Sequence, residues 1–170
     1  MTPAPQVVIV MGVSGSGKTT LARLLADAWG ATCLDADDLH DETARARMAA
    51  GLPLTDAMRD PWVARIADEL TTRVAAGERV VLAFSGLRRR HRERLRATGL
   101  PLRFLFLHGD KALIAARMRA RSGHYMPVSL LDSQFDTLEP PTGEADVATL
   151  AIDRAPAAML REALVASSCA

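Results

Sequence analysis

A glycine-rich segment close to the N-terminus constrains this chain more than any other feature. Its residues Gly12–Thr19 read Gly-Val-Ser-Gly-Ser-Gly-Lys-Thr and fit the pattern G-x-x-x-x-G-K-[ST]. The segment follows an apolar run, Val7–Met11, and opens an amphipathic pattern over Lys18–Trp29, which is the strand–loop–helix order that a phosphate-binding loop requires. Glycines let backbone N–H groups curl around phosphate oxygens, and the helix N-terminus adds partial positive charge. The pattern therefore predicts a nucleotide-binding P-loop.

The side chains of this loop predict the phosphates of a nucleotide and Mg²⁺ as ligands. Lys18 would reach the β- and γ-phosphates, and the hydroxyl of Thr19 would ligate Mg²⁺. Arg117, further along the chain, is a candidate to stack on the adenine ring. The residues that we expect to bind the nucleotide are Gly12, Ser14, Gly15, Ser16, Gly17, Lys18, Thr19 and Arg117.

Apolar runs alternate with helical patterns along the chain. The runs, predicted as strands, are Val7–Met11, Ala31–Leu34, Val80–Phe84, Leu102–Leu107 and Val147–Ile152. The helical patterns cover Lys18–Trp29, Thr55 to about Ala76, Arg88–Thr98, Lys111–Arg121 and Ala155–Ala166. Nearly continuous apolar strands that alternate with helices are typical of a parallel sheet covered on both faces. We expect an α/β fold, a doubly wound sheet of five parallel strands flanked by helices, in one domain of residues 1–170.

Composition and charge argue against several classes of function. The 170 residues are 49% hydrophobic and carry 21 basic and 20 acidic side chains, for a net charge of +1. This balance gives no broad electrostatic field for nucleic acid or a membrane surface. Cys33 and Cys169 form neither a disulfide framework nor a metal-ligand spacing, and the first apolar run ends at Gly12, too short for a membrane span. We expect a cytoplasmic protein whose partners are small molecules, with no nucleic acid and no membrane among them.

A cluster of acids, Asp35-Ala-Asp-Asp38, follows the second predicted strand. The third predicted strand ends without a carboxylate, so this cluster could support Mg²⁺ beside the P-loop, as suits a small-molecule kinase better than a motor or switch GTPase. If the segment is extended, Asp35 and Asp37 lie on the same side, about 6–7 Å apart. One of the two could support Mg²⁺ and the other could orient and polarise an acceptor hydroxyl. We assign Asp35 to the metal and Asp37 to the hydroxyl, and the opposite assignment of the metal stays open. For Asp38 the favoured alternative is to cap a helix that begins near Leu39.

Two further segments supply candidates for an acceptor site. Arg59 and Trp62 share a helix face, where they could clamp an anionic ligand against an apolar wall; a salt-bridged arginine and a core tryptophan are the alternative. Both fall in a helical segment, about 38–77, that we expect to bind the acceptor. Most of the basic stretch Arg88–Arg94 is expected to coat a solvated helix face, but Arg88 lies at a strand end near the P-loop and is assigned to the ligand.

Arginines at the end of the fourth predicted helix suggest a lid. The segment Arg117–Pro127 turns at Gly123-His124 and could fold over the nucleotide, which would exclude water from phosphoryl transfer. A basic helix end matched to the helix dipole is the alternative. We expect a lid at about 119–130, and we assign Arg121, together with Lys18, to offset charge on the transferring group.

Several motifs together resemble the gluconokinases of the P-loop sugar-acid kinase type. They run in the family's order over most of the chain, and Arg-x-Pro-Trp and Ser-Gln-Phe-x-Thr-Leu-Glu are the narrowest markers. The matching stretches are Gly12–Thr19, Asp35-x-Asp37-x-Leu39-His40, Met48–Asp56, Arg59-x-Pro61-Trp62, Gly109-Asp110, Arg121–Pro127 and Leu130–Pro140.

This resemblance implies a nucleoside-kinase-like fold, ATP·Mg²⁺ as donor, D-gluconate as acceptor and 6-phosphogluconate as product. Family members often form homodimers, which is left open for this chain. The predicted catalytic residues are Lys18, Asp37 and Arg121, and the predicted metal ligands are Thr19 and Asp35. The predicted substrate-binding residues are Asp37, His40, Arg59, Trp62, Arg88 and His124.

The chain departs from the family pattern around the expected acceptor site. Ala36 stands where the family usually has glycine, Asp41 where proline is common, Gly86 where alanine is usual, and His91 at a tyrosine position. These differences bear on the identity of the acceptor more than on the reaction type. Two alternatives stay open: a kinase of another small acceptor (another sugar acid, a shikimate-like acid, a nucleoside monophosphate or adenylylsulfate), and an ATP-binding regulator or nucleic-acid-associated factor that uses Arg88–Arg96.

Overall fold

A computed structural model describes residues 4–120 and 128–168. Its strands are β1 (Val7–Met11), β2 (Thr32–Asp35), β3 (Val80–Ala83), β4 (Leu102–His108) and β5 (Val147–Ala151). Its helices are α1 (Lys18–Trp29), α2 (Glu42–Ala49), α3 (Asp56–Ala75), α4 (Arg89–Arg96), α5 (Lys111–Ala120), α6 (Val128–Thr137) and α7 (Pro156–Ser168). A short 3-10 helix, Ala36–Leu39, follows β2 directly.

The five strands form one parallel sheet in the order β2-β3-β1-β4-β5. The central strand β1 is flanked on both sides, with Val7 opposite Val80 of β3 and opposite Leu102 of β4. Parallel neighbours need crossover connections, and helices supply them here. The doubly wound, five-stranded parallel sheet predicted from the sequence is confirmed, and every predicted strand end lies within one residue of the observed one.

Two hydrophobic clusters cover the two faces of the sheet. Val8 and Val10 of β1 face the cluster built with α1, α5 and α7, whereas Val7, Ile9 and Met11 face the cluster built with α3 and α4. All five residues of β1 are at most 1% exposed. Complete burial of side chains of this size stabilises the fold by about 1.5–3 kcal/mol each before the cost in conformational entropy. Burial on both faces explains why β1 is continuously apolar and does not alternate.

Some elements and one buried side chain differ from the sequence-based expectation. The 3-10 helix and α2 lie inside the helical segment expected at about 38–77, but their separate bounds were not predicted, because short and polar stretches carry little hydrophobic periodicity. Helix α6 was missed, although Leu131 and Phe135 repeat at an i, i+4 spacing and pack in the core. Most arginines of the basic stretch are exposed as expected, including Arg89, Arg90 and Arg94, but Arg92 is an exception, since its side chain is fully buried. In the described part of the chain, no helix combines the length and apolarity needed to cross a membrane.

Candidate active site

The P-loop lies at the carboxyl end of β1 and leads into α1. At Gly12 a Cβ atom would lie 2.9 Å from the backbone oxygen of Leu107, and Gly17 adopts a left-handed conformation at the start of the helix, with φ of 96°. Gly17 offers no side chain to cap the first turn of α1. The N–H groups at this helix start therefore point toward the space in which phosphate oxygens bind in such loops.

The P-loop is braced by hydrogen bonds to one of its own carbonyl groups. The Nζ of Lys18 donates to the backbone oxygen of Val13 at 3.0 Å, and the buried hydroxyl of Ser16 donates to the same oxygen at 2.7 Å. These two bonds hold the loop curled and keep the ammonium group of Lys18 beside it.

The two predicted metal ligands lie in contact. The hydroxyl of Thr19 donates to Oδ2 of Asp35 at 3.1 Å, which joins the start of α1 to the carboxyl end of β2. Across the described residues, no three His, Cys, Asp or Glu side chains form a cluster able to hold a metal on their own. A hydroxyl beside one carboxylate nevertheless fits Mg²⁺, which in kinases takes one or two protein ligands and completes its shell with phosphates and water.

The chain after Asp35 turns, which corrects the expectation of an extended segment. Oδ1 of Asp35 accepts the backbone N–H of Asp37 at 3.0 Å and so caps the 3-10 helix. Aspartate favours such local bonds to the backbone, and this bond turns the chain from β2 into the 3-10 helix. The capping expected of Asp38 is also wrong, because Asp41 caps the next helix, α2, by accepting the N–H of Ala44 at 2.8 Å.

Asp37, His40 and Trp62 form a connected group at this turn. Nε2 of His40 lies 3.7 Å from Oδ1 of Asp37, and the polar His40 ring and then the charge of Lys18 lower the pKa of Asp37, outweighing desolvation. The His40 ring stacks on Trp62, whose Nε1 donates to the backbone oxygen of Ala36 at 2.7 Å. The Nδ1 atom of His40 is buried without a hydrogen-bond partner among the residues the structure describes.

Arg59 and Arg88 meet at one carboxylate. Nη1 of Arg59 lies 3.2 Å from Oδ1 of Asp56, and Nε of Arg88 lies 3.6 Å from the same oxygen. Desolvation raises the pKa of Asp56, but the guanidinium groups of Arg88 and Arg59 outweigh it and lower that pKa. Arg88 is also paired with Glu139 at 3.4 Å. Arg59 is thus both a salt-bridged arginine and, at 9% exposure, a wall of the cavity described next.

A small cavity of about 60 Å³ lies on one side of the P-loop. Its walls come from the P-loop, the 3-10 turn, the segment from α2 to α3, the loop after β3 and helix α6. The residues that line it are Ser14, Lys18, Asp37, His40, Met48, Pro53, Leu54, Arg59, Trp62, Ser85, Leu87, Leu130, Ser133 and Gln134. We call it the acceptor cavity. Arg88 does not line it but is linked to Arg59, which does, through the Asp56 carboxylate that both contact.

A larger cavity of about 380 Å³ opens on the other side of the P-loop. It is in the size range of small-ligand sites, and its walls are mainly apolar, as a purine base requires. The lining residues are Gly15, Ser16, Gly17, Thr20, Leu21, Leu24, Arg117, Met118, Ala120, Arg154, Pro156 and Met159. Arg117, the predicted adenine-stacking residue, is among them. We call it the nucleotide cavity.

Gln134 on α6 was missed as a site residue. Its Oε1 accepts the backbone N–H of Ser14 at 2.6 Å, and its Nε2 donates to the hydroxyl of Ser14 at 2.9 Å. The two residues are 120 positions apart in the sequence. The i, i+4 spacing of Leu131 and Phe135 could have predicted α6, but only the place of Gln134 in the Ser-Gln-Phe motif could have drawn attention to its side chain.

Arg92 was also missed, although it supports the walls of the acceptor cavity. Its guanidinium donates to the backbone oxygens of Gly86 at 2.6 Å and of Glu139 at 3.0 Å, and it pairs with Glu144 at 2.7 Å. It therefore ties the loop after β3 to the end of α6. The signal in the sequence was its position three residues before the apolar Leu95, which places both on one helix face.

Part of the predicted lid cannot be placed. Arg121 and His124 lie outside the described residues, as does the turn at Gly123. Of the two helices that flank this segment, α5 contributes Arg117 to the nucleotide cavity, and α6 contributes Leu130 and Gln134 to the acceptor cavity.

A phosphate-binding loop between two cavities, at the carboxyl edge of a doubly wound parallel sheet, defines a P-loop kinase. A family model described as an AAA domain matches residues 7–141. The chain is 42% identical over 158 residues to a gluconokinase of Gluconobacter oxydans. The aligned region covers 93% of this chain and 89% of the relative. The chain belongs to the gluconokinase family, a group of phosphotransferases that act on an alcohol group.

Solved structures agree with this assignment. A crystal structure of a gluconokinase from Sinorhizobium meliloti 1021 is 41% identical, with a TM-score of 0.88 and coverage of 96% of this chain and 92% of that one. An APS kinase of Mycobacterium tuberculosis has a TM-score of 0.69 at 19% identity, covering 96% of this chain and 98% of that one. At that identity only the fold is shared.

Proposed function

We propose that this protein transfers the γ-phosphoryl group of ATP to the 6-hydroxyl of D-gluconate, giving 6-phospho-D-gluconate. The observation that carries the proposal is the pair of cavities that meet at the P-loop, one apolar and sized for a base, the other lined by Asp37, His40 and Arg59. The names of the relatives support the choice of acceptor.

On the donor side, we propose that the P-loop backbone and Lys18 bind the phosphates, and that Arg117 contacts the adenine in the nucleotide cavity. Thr19 and Asp35 would hold Mg²⁺, either directly or through water. The ion would supply charge neutralisation on the β- and γ-phosphate oxygens. Lys18 adds positive charge from the protein, and Arg121 is proposed to do the same from the lid.

On the acceptor side, Asp37 is proposed to accept the proton of the attacking hydroxyl or to orient that hydroxyl. Like an aspartate of ordinary pKa, Asp37 is ionised at neutral pH, and its carboxylate can accept a hydrogen bond from that hydroxyl. The unpartnered Nδ1 of His40 gives a sugar hydroxyl a buried partner. Arg59 is proposed to bind the substrate carboxylate, with Trp62 as the apolar wall. Arg88 is proposed to assist through the Asp56 carboxylate that it shares with Arg59.

We also propose that residues 1–170 act as one domain in which the segment 38–77 binds the acceptor and the segment 119–130 forms a lid over the site. His124 would then reach acceptor hydroxyls from the lid. We propose that the reaction takes place in the cytoplasm, where both ATP and the sugar acid would be available. The homodimer stays a prediction, for which size-exclusion chromatography with light scattering is the direct measurement.

The first test is ADP release from ATP·Mg²⁺ with D-gluconate, beside reactions with no acceptor and with other aldonates, shikimate, nucleoside monophosphates and adenylylsulfate. Strong stimulation by D-gluconate, with 6-phosphogluconate identified as product, is the expected result. Stimulation by a different acceptor alone would keep the kinase and reject the substrate. No stimulation by any acceptor would reject the proposed reaction.

A further inference from the structure

We infer that Gln134 is a positioning residue that fixes the acceptor-facing end of the P-loop through Ser14. The inference rests on the proposed function, because the alignment concerned is that of a γ-phosphoryl group with an acceptor hydroxyl. Both ends of the Gln134 amide are used: the carbonyl accepts from the backbone of Ser14 at 2.6 Å, and the amino group donates to the Ser14 hydroxyl at 2.9 Å. This double contact fixes the orientation of both groups.

The location of this contact determines which step it affects. Ser14 and Gln134 both line the acceptor cavity, whereas the nucleotide cavity is lined by the later loop residues Gly15, Ser16 and Gly17. Lys18, which faces the acceptor cavity, is joined to the same loop through the carbonyl of Val13. A change at Gln134 should therefore alter the alignment of the two reactants more than the affinity for the nucleotide.

Helix α6 is anchored independently of this contact. Leu130 and Leu131 are buried at 3% and 0% exposure, and Asp132 forms an ion pair with Lys111 of α5. The end of the helix is held by the backbone bond from Glu139 to Leu87. Loss of the Gln134 amide should thus leave α6 folded while releasing the P-loop from it.

Misalignment of reacting groups has a large effect on phosphoryl transfer. A displacement of about 1 Å can lower the rate on the order of 100-fold, because in-line attack needs the hydroxyl and the phosphorus held within a narrow geometry. Gln134→Met keeps the length and most of the volume of the side chain but removes both hydrogen bonds. We expect it to lower kcat about 10- to 100-fold, while the Kd for ADP·Mg²⁺ stays within about twofold of the wild-type value.

The experiment combines Gln134→Met with Ser14→Ala, which removes only the hydroxyl half of the contact, and with the double variant. Steady-state kinetics with the acceptor from the panel above gives kcat and KM, and calorimetry gives the Kd for ADP·Mg²⁺. If Gln134 acts through Ser14, the fold-losses in kcat do not multiply in the double variant. Asp136→Ala, an exposed change on the same helix, is the matched control and should keep wild-type kinetics.

Three outcomes would overturn the inference. A Gln134→Met variant with wild-type kcat shows that the contact does not position the reactants. A raised acceptor KM with unchanged kcat and no coupling to Ser14 shows that Gln134 binds the acceptor directly. A wild-type protein that phosphorylates no acceptor overturns the proposed function and this inference together, which distinguishes that failure from the other two.

Discussion

The imidazole ring of His40 is stacked on the indole ring of Trp62, with centroids 4.1 Å apart and planes inclined by 18°. Trp62 is in turn fixed by the bond from its Nε1 to the backbone oxygen of Ala36. The stack holds His40 in one orientation, with Nε2 toward Asp37 and Nδ1 buried without a hydrogen-bond partner among the described residues. A tryptophan that is 3% exposed therefore belongs both to the core and to the acceptor cavity.

Trp62→Phe tests this double role. Phenylalanine keeps an aromatic ring under His40 but leaves the carbonyl of Ala36 without its donor, which costs about 1–3 kcal/mol for a buried group. We expect the free energy of unfolding in urea to fall by that amount and the KM for the acceptor to rise several-fold. Trp29→Phe, at the other tryptophan, should leave the KM unchanged; equal effects of the two changes would remove Trp62 from the site.

Lys18→Met should nearly abolish turnover while the fold survives. Loss of one preorganised positive group at a developing charge lowers kcat by about 100- to 1,000-fold or more. Circular dichroism should stay that of the wild type, since Lys18 is only partly buried. The chain offers its other lysine as a control, and Lys111→Met should retain turnover. Turnover of Lys18→Met close to the wild-type rate would contradict the site assignment.

Asp35→Asn should raise the Mg²⁺ concentration needed for half-maximal activity about tenfold or more, because it weakens one of the few protein ligands proposed for the ion. The measurement is a Mg²⁺ titration of activity at fixed ATP. Asp38→Asn changes an exposed neighbour and should leave the titration unaltered. An unchanged midpoint in Asp35→Asn would return Asp35 to a purely capping role.

Asp37→Asn should depress kcat about 100- to 10,000-fold and leave ATP binding within about twofold, because its carboxylate is proposed to act on the acceptor. Turnover measured beside the Kd for ATP·Mg²⁺ separates the two effects. The opposite result, weaker ATP binding with little change in kcat, would assign Asp37 to the metal.

Glu144 should contribute to stability in a pH-dependent way. Desolvation raises its pKa, but hydrogen bonds from Arg92 and Arg96 outweigh this and place the pKa below its ordinary value of 4.5. The stabilisation is therefore complete above pH 4.5 and is lost as pH falls through the lower pKa of the folded state.

Glu144→Gln should lower the free energy of unfolding at pH 7 by about 3 kcal/mol, because Arg92 is left buried beside a neutral amide. It should also flatten the loss of stability below pH 4.5 that urea titrations of the wild type would show. Glu93→Gln changes an exposed partner of Arg96 and is the control. It should change the free energy of unfolding at pH 7 by no more than about 0.5 kcal/mol and leave its dependence on acidic pH unaltered. If the free energy of unfolding falls equally steeply below pH 4.5 in Glu144→Gln and in the wild type, Glu144 is not the source of the pH dependence.

Local patterns were enough to predict the P-loop, the five strands and most of the long helices. Strand β1 is apolar at every position because it is buried on both faces, and Gly12–Thr19 has a spacing that few other local structures demand. Thr19 and Asp35 could be placed near each other as well, since both follow strands of one parallel sheet. These features depend on neighbours in sequence or on the common direction of parallel strands.

Contacts between distant segments were decided only by the tertiary structure. Asp35 caps a turn where the sequence predicted an extended segment. Arg92 is buried and not solvated, because the fold brings Glu144, 52 residues away, against it. Gln134 meets Ser14 across 120 residues for the same reason. Polar side chains have no periodicity that reveals their partners, so which carbonyl, carboxylate or N–H satisfies each one depends on how the helices dock on the sheet.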